Sequence, residues 1–323
     1  MGFADDPMVC ASCWAMACEF ELMLWGRERR YLEAAAREAL EEVQRLEGQL
    51  SAHRALSEVD QVNAAAHRAP VKVSPQLFDL LTKCVQISAA TDGAFDITAG
   101  PLVKAWGFFD RRPRVPPRGE LAEALGRVGF RHLVLNEADL TVGFAVEGME
   151  INLGAVGKGY AVDRVVEYLR EMEVPGALVH AGRSTSYALG TQPDGRPWKL
   201  GVAHPTDPSR RVLALAVCNR SVSNSGCTEQ CLELDGAFYG HIIDPRTGWP
   251  AQGLLSAVAL APTATESDAL ATAFFVLGEE GTRRYCGSHS DVGAVLLPCP
   301  RDGSGVEPII IGDMASLVEE VEA

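Results

Sequence analysis

From Glu28 to Leu50 apolar residues recur at helical spacing beside a strongly charged opposite face, which predicts a long amphipathic helix. Just before it, Glu19 to Trp25 reads as a strand. A second helix is expected after the N-cap candidate Ser74, running through Leu77, Leu80, Leu81, Val85 and Ile87 towards a turn at Gly93. Residues 132 to 152 alternate like two strands around Asn136-Glu137-Ala138-Asp139. Gly154 to Gly159 is then a glycine-rich connection into a helix carrying Val162, Val165, Val166 and Leu169. From about residue 177 the pattern shortens to strands at Ala177-Val179, Tyr187-Leu189, Leu200-Ala203, Val212-Cys218 and Ser256-Leu260. Helices return at Ser267-Leu277 and Glu280-Cys286, followed by strands near Val292-Leu297 and Pro308-Ile311.

Strand clusters mixed with helices, without regular strand–helix alternation, point to an α+β fold rather than a doubly wound sheet. No repeat of fixed period and no low-complexity linker divides the chain, so a single two-lobed domain with mixed or antiparallel sheets and packed helices is expected. Residues 16–315 are assigned to it, with 1–15 as an N-terminal extension and 316–323 as a C-terminal tail. The 323 residues hold 29 basic and 43 acidic side chains, a net charge of −14, which argues against nucleic-acid binding and against attraction to anionic membranes. An anionic ligand then needs a local positive site or a metal. The basic cluster Arg111, Arg112, Arg114 and Arg118 is interleaved with prolines and reads as a solvated loop, or as a phosphate or partner contact.

Nine scattered cysteines form no obvious disulfide framework and suggest a reducing compartment. Cys10, Cys13 and Cys18 lie close together, but no fourth ligand with zinc-like spacing follows. No run of 18 apolar residues occurs, so no transmembrane segment is expected, and Met1 to Pro7 is acidic where a secretory signal is basic. The expected location is cytoplasmic as the chain stands, or periplasmic if a leader has been removed.

Four segments carry chemistry. His241-Ile242-Ile243-Asp244-Pro245-Arg246-Thr247-Gly248 sets an imidazole and a carboxylate around a tight turn, and Asp268 and Thr272 place a carboxylate and a hydroxyl i, i+4 on one helix face. The latter pair suits a hard cation such as magnesium, although an N-cap acid followed by a buried threonine explains it equally. Gly154-Ala155-Val156-Gly157-Lys158-Gly159 is too short for a Walker motif, yet amides at a helix start and a lysine favour an anion; the other reading is a plain strand-to-helix turn. In Thr91 to Leu102, followed by Trp106-Gly107-Phe108, small residues let a ligand approach the backbone and aromatics pack on a planar ring, or simply form core.

Taken in order, these segments resemble the FAD:protein FMN transferase family, the ApbE-like flavin transferases. The resemblance runs from Met16 to Gly278 on Ser57 to Asn63, Phe95-Asp96-Ile97-Thr98, Gly100-Pro101-Leu102, Trp106-Gly107-Phe108 and Leu153-Gly154-Ala155. It continues through Lys158 to Asp163, Pro197-Trp198, Ser225-Gly226, His241 to Gly248 and Asp268-Ala269-x-x-Thr272. The resemblance implies a T-fold-related α+β domain holding FAD between its lobes, with magnesium on the pyrophosphate. Such proteins cleave FAD there and attach FMN to a Ser or Thr of an acceptor protein, releasing AMP. Carried over by position, flavin-nucleotide contacts fall on Met16, His53, Ala94, Phe95, Asp96, Asn152, Lys158, His241 and Ile242. Magnesium ligands fall on Asp268, Thr272 and the backbone oxygen of Ala155. His241 becomes the base for the acceptor hydroxyl, with Asp244 orienting its turn. Departures are Met16-Ala17-Cys18 for the usual Met-Gly-Thr, Arg183 in a normally tight glycine segment, and Asn224 with Cys227-Thr228 around Ser225-Gly226. FMN transfer, FAD hydrolysis to FMN and AMP, and flavin or nucleotide binding without transfer are the readings these residues leave.

Overall fold

The computed structural model describes residues 8–26, 28–52, 54–226, 231–234, 237–300, 306–312 and 314–319. The chain opens with the hairpin β1 (Met8–Ala15) and β2 (Cys18–Trp25), followed by α1 (Arg29–Leu50), α2 (Glu58–Ala65), β3 (Val71–Lys72) and α3 (Pro75–Ala90). Next come α4 (Gly100–Ala105), α5 (Arg118–Leu125), β4 (Leu133–Asn136), β5 (Thr141–Phe144) and α6 (Gly157–Glu171). The strand-rich part contains β6 (Gly176–Ala181), β7 (Thr185–Gly190), β8 (Trp198–His204), β9 (Asp207–Val217), β10 (Arg220–Gly226), β11 (Cys231–Leu234), β12 (Ala237–Gly240) and β13 (Leu254–Ala261). It ends with α7 (Ala264–Ser288), β14 (Gly293–Pro298), β15 (Ile309–Ile311) and β16 (Val318–Glu319).

Eight strands form one antiparallel sheet in the order β1-β2-β6-β7-β10-β13-β14-β15. Both faces of its centre are covered, which is why its strands read as short continuous apolar runs. Alternate residues serve the two layers. Ala177, Val179, Ala257, Ala259, Ala261, Ala294 and Leu296 belong to the core under α1, α6 and α7. Their neighbours Leu178, Val258, Leu260, Val295 and Leu297 pack with Trp198, Leu200, Leu213 and Leu215 of the small sheet β16-β9-β8. Alanine at 257, 259 and 261, facing Ala264 and Ala271, lets α7 lie close on the sheet. The segment between α1 and α6 adds the sheet β3-β5-β4 and shares the core under α1, α6 and α7 through Leu77, Leu81, Val142 and Ile151, while Leu102, Trp106, Phe108 and Leu121 form a smaller cluster with Ile243.

The antiparallel α+β architecture agrees with the pattern of the sequence. The helix read from Glu28 is α1, and Ser74 caps α3 by accepting the Leu77 amide at 3.3 Å. The two late helices meet at Gly278, whose φ of 65° and ψ of −166° interrupt α7. Between them they begin at Ala264, three residues before the expected start. Two boundaries need correction. Met8–Ala15, read as part of an extension, is the edge strand β1, with Val9 and Ala15 buried. Its cysteine, serine and tryptophan positions blur the apolar alternation that would have marked it. Val318–Glu319, read as tail, pairs with β9 at Leu215 and Ala214. The second strand of the 132–152 region stops at Phe144, and the residues after it run irregularly to Asn152. Helices α2, α4 and α5 and strand β10 lie outside the elements read from periodicity; the three helices have only six to eight residues, too few to establish a period. Among the described residues, no helix is long and apolar enough to cross a membrane.

Candidate active site

The polar centre lies where α6 and α7 bring their N-termini together. Asp268 is 4% exposed, and its oxygens accept the Gly159 amide at 2.9 Å and the Thr185 hydroxyl at 3.1 Å. The acid therefore caps α6, a helix with no side-chain cap of its own, rather than the helix that carries it. In return Asp163 on α6 accepts the Ala264 amide at 2.6 Å, the Thr265 amide at 2.7 Å and the Thr265 hydroxyl at 2.5 Å. Burial pushes the Asp163 carboxyl up to about 6, against the lowering effect of these three donors. Gly159 permits the approach, because a Cβ there would lie 2.2 Å from the Ala264 oxygen. One turn along α7, the Thr272 hydroxyl is 3.1 Å from that of Ser225 on β10. Ser221 and Ser223 on the same face of β10 both bond Ser267, at 2.8 and 2.7 Å. A buried ribbon of hydroxyls thus runs between sheet and helix up to the Asp268–Thr272 pair.

A carboxylate has about four acceptor sites, so two protein donors leave Asp268 with capacity for a ligand. With Thr272, Ser225 and backbone carbonyls nearby in sequence or space, the donors are all hard oxygens, which fits a small divalent cation. Among the described residues no group of three His, Cys, Asp or Glu is arranged to hold a metal. Such a cation would need oxygens from a bound phosphate to complete its shell.

The Asn152–Gly159 turn leads directly into this centre. Asn152 accepts the Gly154 amide on its side chain at 2.8 Å and donates its own amide to the Ile97 carbonyl at 2.7 Å. Val156 and Gly157 both donate to Leu153, so most amides of the turn are used within the protein. An anion here would be met chiefly by half-buried Lys158, whose ammonium lies 3.5 Å from the Gly154 carbonyl. Asn63 fixes the turn from α2: its side chain donates to the Ile151 carbonyl at 3.0 Å and accepts the Ile151 amide at 2.8 Å. Sequence reading quoted Asn63 and Asp163 without giving either a role. Their partners lie 88 and about 100 residues away, beyond any local pattern. A polar cavity of about 240 Å³ opens beside the turn, lined by Asn63, Lys104, Phe109, Glu150 and Asn152 among others.

The aromatic and histidine segments form a second group, joined to the first through Asn152. Asp96 is engaged structurally, with Oδ1 accepting the Thr98 amide and hydroxyl at 2.8 and 2.7 Å and Oδ2 accepting the Phe130 amide at 2.7 Å. Burial raises its pKa against those bonds. Ala94 and Phe95 are buried, so Phe95 contributes core rather than an open ring face. Gly93 packs near Arg246, since a Cβ built on it would lie 3.7 Å from the arginine Cγ. The Trp106 indole donates to the Gly248 carbonyl at 2.8 Å, and Phe108 meets the His241 ring edge-on at 6.5 Å. Arg246 grips both oxygens of Asp244 at 2.8 Å, while the Asp244 carbonyl accepts the Thr247 and Gly248 amides. Asp244 therefore shapes the turn that presents half-buried His241, and Ile242 behind it is buried in the core.

Met16 occupies the β1–β2 turn with φ of 50°, its amide donating to Glu47 at 2.8 Å, and Ala17 follows at φ of 60°. Positive φ at both positions is a hairpin-turn conformation that favours glycine. Ala155 is half-buried beside the core, and His53 lies outside the described residues. Arg183 is exposed in the β6–β7 turn, where Gly182 adopts φ of 58° against Cys18. The guanidinium thus reaches solvent instead of filling the tight segment.

The chain is similar to known proteins along most of its length. The chain is 33% identical over 301 residues to an FAD:protein FMN transferase of Klebsiella pneumoniae, covering 93% of this chain and 92% of the relative. It is 38% identical over 276 residues to an FAD:protein FMN transferase of Treponema pallidum, covering 79% and 76% respectively. Among solved structures, the flavin transferase ApbE from Vibrio cholerae superposes with a TM-score of 0.84 at 26% identity, over 97% of this chain and 99% of that one. The ApbE protein of Thermotoga maritima does so with a TM-score of 0.85 at 26% identity, over 96% and 98%. With residues 16–296 matching the family as a whole, the chain belongs to the ApbE family.

Proposed function

We propose that this chain is an FAD:protein FMN transferase that splits FAD at its pyrophosphate and joins FMN to a Ser or Thr of an acceptor protein. The observation that carries this reading is the buried Asp268 carboxylate beside the Thr272 and Ser225 hydroxyls, with Lys158 on the adjoining turn. In a chain of net charge −14, that pairing of a hard-cation site with a lysine suits a pyrophosphate better than a neutral ligand. Asp268, Thr272 and the Ala155 carbonyl would hold Mg²⁺, which when bound neutralises charge on the pyrophosphate oxygens. Lys158 would add a positive charge on the same group. Asn152, held by Asn63, and the backbone of the 94–96 and 241–242 segments would position the rest of FAD.

His241 would take the proton of the acceptor hydroxyl as its oxygen bonds to the FMN phosphorus. The phosphoanhydride bond then breaks and AMP leaves with the bridging oxygen. Positioning and charge neutralisation supply most of the acceleration in such a displacement. The solvent-facing Arg183 supports an open flavin segment. The scattered cysteines support a reducing, cytoplasmic setting.

The test is incubation of the purified chain with FAD, Mg²⁺ and a candidate acceptor, following AMP and flavin-labelled protein together. Equal yields of both are expected, with no reaction when EDTA is added. AMP with free FMN and no labelled protein would make the chain a hydrolase, and binding without AMP would make it a flavin binder.

A further inference from the structure

We infer that Asp163 is a positioning residue for the cation end of the site, holding α7 on α6 so that Asp268 and Thr272 face the ligand together. The inference rests on reading Asp268 and Thr272 as cation ligands. Its basis is a reciprocal exchange between the two helices. Asp163 lies four residues beyond Gly159 and binds the amides of Ala264 and Thr265; Asp268 lies four residues beyond Ala264 and binds the amide of Gly159. Each helix start is thus capped by a carboxylate one turn into the other helix. The contact is close enough that a Cβ at Gly159 would overlap the Ala264 backbone, so the two helix starts pack directly on one another.

An ordinary helix cap stabilises the helix it closes and does no more. Asp163 differs because the helix it holds carries both proposed ligands. Its three bonds fix the first turn of α7, and Asp268 and Thr272 occupy the next two turns. Asp268 is also oriented from the sheet by Thr185, at 3.1 Å. If α7 shifts on α6, Asp268 must follow Gly159 or Thr185 but not both. Thr272 moves away from Ser225 in the same displacement. Partners that orient metal ligands in this way are typically worth roughly 10–100-fold in metal affinity.

The test is Mn²⁺ binding followed by the EPR signal of the free ion, with the full chain saturated with FAD and no acceptor present. Asp163→Asn turns an amide NH₂ or a single oxygen towards three donors and is expected to weaken Mn²⁺ by about 10–100-fold, with metal-free FAD affinity close to that of the unsubstituted chain. A milder pair covers the case in which Asp163→Asn does not fold. Thr265→Val keeps the shape and both amide donors but removes the hydroxyl bond, and should weaken Mn²⁺ measurably; Thr265→Ser restores the hydroxyl and should restore binding. Folded Asp163→Asn with unchanged Mn²⁺ affinity, or equal affinities for Thr265→Val and Thr265→Ser, overturns the inference. Unchanged affinity in Asp268→Ala would instead overturn the reading of the cation site itself.

Discussion

Asp163 and His241 show how differently two polar residues of one site are held. The Asp163 carboxyl is raised from 3.8 to about 6 by burial, even though three donors reach it. The folded chain therefore keeps that proton to a higher pH than the unfolded chain does. Its contribution to stability is fully present below pH 3.8 and is lost as pH rises through 6, amounting to roughly 3 kcal/mol across the window. Urea midpoints measured from pH 4 to 7 should accordingly fall less steeply with pH in Asp163→Asn than in the unsubstituted chain; parallel profiles would mean that the group does not titrate in this window. His241 sits on a turn fixed by Asp244 and Arg246, with Phe108 against its ring edge. Its replacement by Ala should leave FAD affinity nearly intact and slow transfer by about 10²–10⁴, the usual range for a lost general base. Loss of FAD binding in the folded variant would assign His241 to binding and leave the base unassigned. Asp244 is a poor substitute because Arg246 occupies both of its oxygens.

At the scale of elements, two tight features carry opposite costs. The β1–β2 hairpin turns through Met16 and Ala17, both left-handed, with Ala15 opposite Cys18. A non-glycine residue with φ of 60° is strained by roughly 1–2 kcal/mol, so Ala17→Gly should raise unfolding free energy by about 0.5–1 kcal/mol after the entropy of the freer unfolded chain is offset. A lowered urea midpoint would show that the alanine methyl contributes packing that the turn needs. The α6–α7 contact tolerates the opposite change poorly. Gly159→Ala sets a methyl 2.2 Å from the Ala264 carbonyl and 2.8 Å from the Asp268 Cβ, forcing the helices apart. A loss of about 1–3 kcal/mol is expected from this overpacking, with weaker FAD binding in the presence of Mg²⁺. Chemical unfolding and FAD titration of the same variant check both, and a variant as stable as the parent would contradict the close approach.

For the molecule as a whole, the main sheet joins the two ends of the chain. β1 is its first strand, β15 its last, and the helical core spans both, from Val9 to Ile311. Removing residues 1–15 strips β2 of its outer partner and uncovers the core beside Val9 and Ala15, at a cost of about 3 kcal/mol or more. A truncated chain with the urea midpoint of the full chain would show that β1 is appended rather than integral. The same scale explains the placement of the site, since the insertion between α1 and α6 brings Asn63, Asn152 and the 94–108 segment to the turn that opens α6.

The sequence alone determined the features set by neighbours along the chain. The 3.6-residue period of α1, the Ser74 cap of α3, the break between the two late helices and the i, i+4 pairing of Asp268 with Thr272 all rest on local backbone and side-chain geometry. The ordered motifs were enough to mark the ApbE resemblance. The tertiary structure alone decided which groups those residues meet. Asp268 caps a helix 109 residues earlier, Asn63 clamps a backbone 88 residues later, and Asp96 spends its oxygens on Thr98 and Phe130. A hydrogen bond between distant segments leaves no period in the sequence; it exists only once packing has brought donor and acceptor together, and desolvation then makes each such bond costly to lose.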